Sequence, residues 1–452
     1  MKQFKGFGLF IFSLVIMIII SACGNSSEPV KNNGAANKPS EENSVAKPED
    51  KPKEVKITFL NTKGEIQKQI EEAAAIFHQD YPHITVEILQ TGAGQSPFER
   101  ASSLYAAGNP AQLAMLDGGD VEKFKDRILD LSNEKWITDA VDNSLKATTF
   151  DGKVLAFPFA VEGYGFIYNK PVLDKAVGGS FDPSTIKTTK DLENLFKQIE
   201  ASGKPPLMIA PMDWSLGAHY LALGYATQST DRSQVDKFVE DLKAGSVDLS
   251  NNAVFDGLLD TFDVMKQYNI DKESPLSGTY ERGPELLAKG EVGIWFMGNW
   301  AWPQISGFDT VNGQYGFLPV PISNNPDDFG NSEISAAVSK RIIVDKEFST
   351  PEQIEAATTF LDWLVYHDNG QDFIVNKANI IPAFKNITLE AKDPLAKSIQ
   401  DYIGRGKTQE SMSTLPADHW AKTGASMQKY LAGVANREAV LEEIEDYWKS
   451  VK

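Results

Sequence analysis

Val55-Lys56-Ile57-Thr58-Phe59-Leu60, then Asn61-Thr62-Lys63-Gly64, then Ile66, Ile70, Ala74 and Phe77 at helical spacing, is the stretch that sets the fold. The first six residues are β-branched and apolar in strand fashion, and Asn61 to Gly64 supply turn chemistry. The apolar positions that follow recur every three to four residues, the spacing of one helix face. Tyr81-Pro82 ends that helix, and Ile84, Val86 and Ile88 alternate as a second strand. The product is a βαβ unit, whose crossover favours a parallel sheet. Helix and strand patterns alternate onward, with helical periods over residues 192–199, 254–268, 354–366 and 439–448. The expected fold class is therefore α/β.

Upstream of this body the chain changes character. Lys2 and Lys5 precede an apolar run over residues 7–20 that stops at small residues before Cys23. A membrane span needs about 20 apolar residues, so the run reads as an export signal over residues 1–22. Ile20-Ser21-Ala22-Cys23 fits the pattern at which bacterial lipoproteins are cut and acylated, which makes Cys23 the expected lipidation site. Residues 23–53 are rich in Asn, Ser, Glu, Lys and Pro and poor in large apolar groups, the composition of a tether. The expected location is the outer face of the bacterial cell membrane, held there by the N-terminal lipid alone.

Cys23 is the only cysteine, which removes disulfides, Cys-based zinc sites and Cys catalysis from the folded body. A formal charge of −18 argues against a nucleic-acid partner. Among enzyme motifs, the chain has no G-x-S-x-G elbow, no Walker-type loop and no H-E-x-x-H. His78, His83, His219, His367 and His419 have no spacing that puts two on one helix face. The expectation is a non-catalytic protein with no cofactor and no metal.

In open α/β sheets, ligands bind beyond the carboxyl ends of the strands. That rule selects residues 61–64, 91–95, 117–120 and 158–164. Asp117, Asp120 and Glu162 offer lone pairs to hydroxyl groups, and Lys63 offers a donor. A sugar ring has an apolar face and a hydroxyl rim, so it is held by flat aromatic rings plus polar side chains. The run Ile294-Trp295-Phe296-Met297-Gly298-Asn299-Trp300-Ala301-Trp302 breaks at Gly298-Asn299 and presents Trp300 as such a platform, with Trp295 and Trp302 read as core. Trp214 and Trp420 lie in polar, loop-like settings, and Tyr164 is a smaller platform two residues after Glu162. Acidic loops at the cleft are expected to disfavour uronates.

With these residues in view, the sequence resembles the maltose-type solute-binding proteins of ABC importers, from Val55 almost to the end. The likeness rests on Phe157-Pro158-Phe159-Ala160-Val161-Glu162-Gly163-Tyr164-Gly165-Phe166-Ile167-Tyr168-Asn169-Lys170 and on Gly298-Asn299-Trp300-Ala301-Trp302. Asn61-Thr62-Lys63-Gly64, Gly108-Asn109-Pro110 and the segment from Leu415-Pro416 to Trp420 fall in matching order. The resemblance implies a two-lobed, type II-like periplasmic-binding-protein fold with a hinge. Its discontinuous lobes would be residues 54–161 plus 332–389 and residues 162–331 plus 390–452. It further implies that Lys63 and Asp120 contact sugar from the first lobe, that Glu162 reaches in from the crossover, and that Trp214, Trp300 and Trp420 stack on successive rings. Partners would be a carbohydrate, a neutral oligosaccharide above all, and the transmembrane subunits of an ABC permease; the binding protein itself would be a monomer. The first-lobe loop Leu116-Asp117-Gly118-Gly119-Asp120 lacks the aromatic that maltodextrin binders carry, which puts maltose itself in doubt. A surface glycan hydrolase with the same anchor and aromatic groove is the rival reading; a peptide, polyamine or metal-chelate binder of the same architecture finds little support.

Overall fold

Eleven strands occur among the described residues, which in this computed structural model are 53–92, 95–141, 143–309, 313–410, 412 and 415–451. The segment read as an export signal, Cys23 and all of the expected tether except residue 53 lie outside them, as do residues 93 and 94.

The opening βαβ unit forms as its spacing predicts. β1 (Val55–Asn61) pairs in parallel with β2 (Ile84–Gln90), Val55 opposite Ile84. Between them runs the helix Gln67–Asp80, which buries Ile70, Ala73, Ala74 and Phe77. The Tyr81 N–H donates to the Phe77 carbonyl, and Pro82 allows no further turn. β3 (Leu113–Asp117) adds to the other side of β1, also in parallel. β4 (Thr149–Phe150) and β5 (Lys153–Val154) make a small separate hairpin.

β6 (Phe157–Asn169) is the long element of the fold, and its 13 residues are almost all buried. It runs antiparallel to β8 (Ile294–Gly298), to β9 (Tyr315–Leu318) and to β10 (Ile334–Val344). β10 in turn pairs with β3, and β7 (Leu207–Met208) and β11 (Thr408–Glu410) complete a nine-stranded sheet in the order β2-β1-β3-β10-β6-β8-β7. The sheet is therefore mixed, parallel where βαβ units build it and antiparallel where β6 and β10 pass between its two ends.

One irregularity in β10 matters for function. The β10·β6 register shifts between Val338 and Lys340 and again between Lys340 and Arg341, leaving Ser339 without a ladder partner. Such a bulge turns side chains away from the regular alternation.

The helical periods read from sequence appear as Thr189–Ala201, Ala253–Tyr268, Pro351–Tyr366 and Arg437–Ser450. Two local expectations are corrected. Trp214 and Trp420 do not sit in loops: Trp214 opens the π-helix Trp214–Tyr220, and Trp420 is the second residue of the helix His419–Leu431. The polar residues before them are helix-entry residues, as Asp213 accepting the Trp214 N–H illustrates. The apolar interior gathers mainly into two clusters. One cluster, with Phe166, Phe262 and Trp448, belongs to the later segments alone, whereas the largest joins Phe59 and Phe77 to Met208, Trp295 and Phe317.

Candidate functional site

Asn61 ends β1 and folds the turn that follows. Its amide donates to the Lys63 carbonyl at 3.0 Å and its Oδ1 accepts from the Lys63 N–H at 3.0 Å, while Nδ2 also reaches Gln67 Oε1 at 2.8 Å. This side-chain-built turn carries Lys63 into the interior, where only 4 % of its side chain is exposed. Its Nζ donates to Glu162 Oε1 and lies 2.5 Å from Glu65 Oε1. Burial on its own lowers an ammonium's pKa, but Glu162 and then Glu65 outweigh it and raise Lys63 well above the ordinary lysine range.

Glu162 projects from β6 opposite the β10 bulge. Burial pushes its carboxyl up, yet the Lys63 charge and the hydrogen bonds from Lys63 and from the bulged Ser339 hold it below the usual glutamate value. Lys340 extends the network by donating to Asp117 at the end of β3. Asp120 lies in the 3-10 segment Gly118–Phe124, is 5 % exposed, and is pushed up to about 7 by burial and by Asp117, against Lys340 and Lys123. The four sequence-selected polar groups therefore belong to one electrostatic cluster. Of these, Asp117 stays half-exposed, whereas the ionisation of the buried Asp120 falls near neutral pH.

An aromatic face stands beside this cluster. Trp214 and Trp300 meet edge to face with centroids 6.4 Å apart. Tyr164 lies 6.5 Å from Trp300, and Tyr280 lies 5.9 Å from Trp214. Gly298 is what lets Trp300 lie where it does: a Cβ there would overlap the six-membered part of the indole. Behind the turn, the Asn299 side chain accepts the Gly163 N–H at 2.9 Å and so ties β8 to β6 beside Glu162. Trp295 is fully buried, as expected; Trp302 is only half-buried, edge-on to Tyr315 at 5.6 Å.

Trp420 stands apart from this group. It is half-buried, belongs to none of the apolar clusters, and its ring is in contact with neither Trp214 nor Trp300. Its backbone does reach their neighbourhood, because Gly217 of the π-helix packs on the Trp420 carbonyl so closely that a Cβ would lie 2.5 Å from that oxygen.

Sequence reading missed His219, which occupies the middle of the aromatic face. Its ring is 4.6 Å from Tyr164, 4.9 Å from Trp300 and 5.4 Å from Trp214. Burial lowers its pKa to about 4, with Glu162 and Asp117 pulling the other way, so the imidazole is neutral at physiological pH. It follows Trp214 by five positions, the hydrogen-bond step of a π-helix rather than of an α-helix, and a 3.6-residue period does not pair them. Ser339 and Lys340 were missed too, since nothing local ties them to Glu162.

Lys63, Glu65, Ile66, Glu162, Asn299, Trp300 and residues 378–380 enclose a hollow of about 10 Å³, room for one water. Pockets for drug-sized ligands run to about 300–1,000 Å³, so a larger guest enters only after these walls part. Among the described residues, no cluster of His, Cys, Asp and Glu is arranged to hold a metal ion.

The model of the bacterial extracellular solute-binding proteins matches residues 72–403. The chain belongs to that family. Solved structures agree on the two-lobed α/β fold of these solute-binding proteins. RafE in complex with raffinose is 19 % identical at a TM-score of 0.72, over 87 % of this chain and 99 % of that one. A sugar transporter of Bacillus licheniformis in complex with stachyose is 19 % identical at 0.68, over 88 % and 100 %. A family 1 extracellular solute-binding protein of Bifidobacterium longum subsp. infantis is 18 % identical at 0.63, over 88 % and 100 %. As in the family description, the expected setting is outside the cytoplasm, and no helix among the described residues is long and apolar enough to cross a membrane.

Proposed function

We propose that this solute-binding protein captures a neutral carbohydrate between its two lobes and delivers it to the transmembrane subunits of an ABC permease. The observation that carries the reading is the meeting of Trp300, Trp214, His219 and Tyr164 with the buried Lys63–Glu162 pair. A sugar's C–H face needs the first set and its hydroxyl rim the second. Lys63, Asp117, Asp120 and Glu162 supply the polar contacts; Trp214, Trp300 and Tyr164, joined by His219, supply the platforms. Trp420 serves an additional ring at the margin of the groove, which favours an oligosaccharide over a single ring. The raffinose and stachyose complexes among the similar structures support the same class of guest. The lobes divide near Ala160-Val161-Glu162 and return near residues 331 and 389, and closure brings contacts from both sides to one ligand. The protein acts as a monomer without cofactor or catalysis, anchored through lipid on Cys23.

Thermal denaturation against a panel of neutral mono- and oligosaccharides tests this, because a guest that binds only the folded form raises the melting temperature. A panel without a single stabilising sugar refutes the carbohydrate reading. New reducing ends during incubation would replace it with the hydrolase.

A further inference from the structure

Val161 and Glu162 are consecutive on β6, so their side chains emerge on opposite faces of the sheet. Glu162 faces the hollow described above. Val161 lines a different cavity, of about 540 Å³, walled by residues drawn from the stretches 143–147, 226–235, 329–341 and 403–410. Among its wall residues is Arg341, 2 % exposed.

Arg341 is a buried cation that makes no ion pair among the described residues, Asp117 and Glu410 acting on it only from beyond contact. Nη1 donates to the Val338 carbonyl at 2.7 Å, Nε has no acceptor, and among the described residues no carboxylate lies within ion-pair distance of the guanidinium. The other charged wall residues pair elsewhere: Arg232 lies 2.7 Å from Asp236 and 3.2 Å from Glu410. Burial brings Arg341 down to about 10, against Asp117 and Glu410, so it still carries its charge at neutral pH. With Nη1 occupied and Nε enclosed by the protein, Nη2 is the donor left to meet an anionic oxygen. Much of the remaining lining is apolar, with Val161, Phe329 and Ile403 the larger side chains.

We propose that this cavity is a second ligand site, taking a small organic acid whose carboxylate pairs with Arg341 and whose apolar body lies against Val161, Phe329 and Ile403. The site is separate from the carbohydrate groove and does not depend on that assignment. Buried charge is tolerated when it is paired, and the acid supplies the pair that the chain withholds.

Titration of the full chain with benzoate and hexanoate, followed by calorimetry and thermal shift at constant ionic strength, tests it, with inorganic phosphate as the oxyanion that lacks an apolar body. At least one of the two acids should bind saturably, one per chain, and more tightly than phosphate. Arg341→Met should weaken that binding at least tenfold and melt above the wild type in acid-free buffer, since it removes an unpaired buried charge. Arg341→Lys, which keeps the charge but lacks the planar group that carries Nη2 into the wall, should bind less tightly than wild type, and it decides the matter if the Met variant does not fold. No saturable binding of either acid to the wild type, phosphate binding alone, or unchanged affinity in the folded variants would overturn the proposal.

Discussion

Replacing Lys63 by Met probes the Lys63–Glu162 pair directly. The substitution leaves the Glu162 carboxylate buried with Ser339 as its remaining hydrogen-bond partner. Breaking a buried ion pair from one side destabilises by about 3–5 kcal/mol. With an unfolding entropy of about 2.1 cal/mol/K per residue over roughly 400 folded residues, that is a fall in melting temperature of about 4–6 °C. The pH dependence carries the sharper signature. In the wild type, Glu162 is held below its unfolded value, so its contribution is present above the unfolded value of 4.5 and lost as pH falls through the folded value. Without Lys63, burial becomes the dominant influence and raises the folded value. The folded state then holds the proton that the unfolded state releases, and the variant loses stability as pH rises above about 4.5, the opposite slope. Denaturant melts of both proteins between about pH 4 and pH 8 read the two slopes, and the double variant Lys63→Met/Glu162→Gln should recover much of the loss. Parallel pH profiles, or a double variant no better than the single, would refute the reasoning.

Trp300→Ala should weaken carbohydrate binding by about 1–3 kcal/mol with the fold intact, measured by titration calorimetry on a sugar found in the thermal-shift panel. Gly298→Ala should weaken the same binding without deleting any contact group, because its Cβ displaces the Trp300 ring; near-ultraviolet circular dichroism would register the moved indole. Asp120 has a folded pKa of about 7, raised from 3.8, so its ionisation subtracts stability progressively as pH climbs between those values. Asp120→Asn should therefore be more stable than wild type above about pH 8 and gain little near pH 4, as denaturant midpoints would establish.

Much of the fold was legible because it depends on neighbours in sequence. The βαβ unit follows from Ile70, Ala74 and Phe77 on one helix face and from Val86 alternating in β2. The strand that breaks at Gly298-Asn299 was readable for the same reason. What escaped depends on distant pairings. The β10 bulge brings Ser339 to a glutamate 177 residues earlier, and no local pattern reports a register shift. His219 escaped because a lone histidine in an apolar helix is uninformative until the π-turn sets it beside Trp214. The depth of Lys63 was not legible either, since burial of an ammonium is set by the acids that meet it, and Glu162 arrives 99 residues later.

The hollow beside Trp300 has a kinetic corollary. A space of about 10 Å³ admits no guest larger than a water, so exchange of anything larger waits on parting of the walls. Observed association rates should then level off at high ligand concentration, at the frequency with which Lys63 and Asn299 separate, and the lifetime of a complex should share that limit. Two guests of very different affinity could leave at similar speeds, distinguished instead by how often the door is found open with them inside.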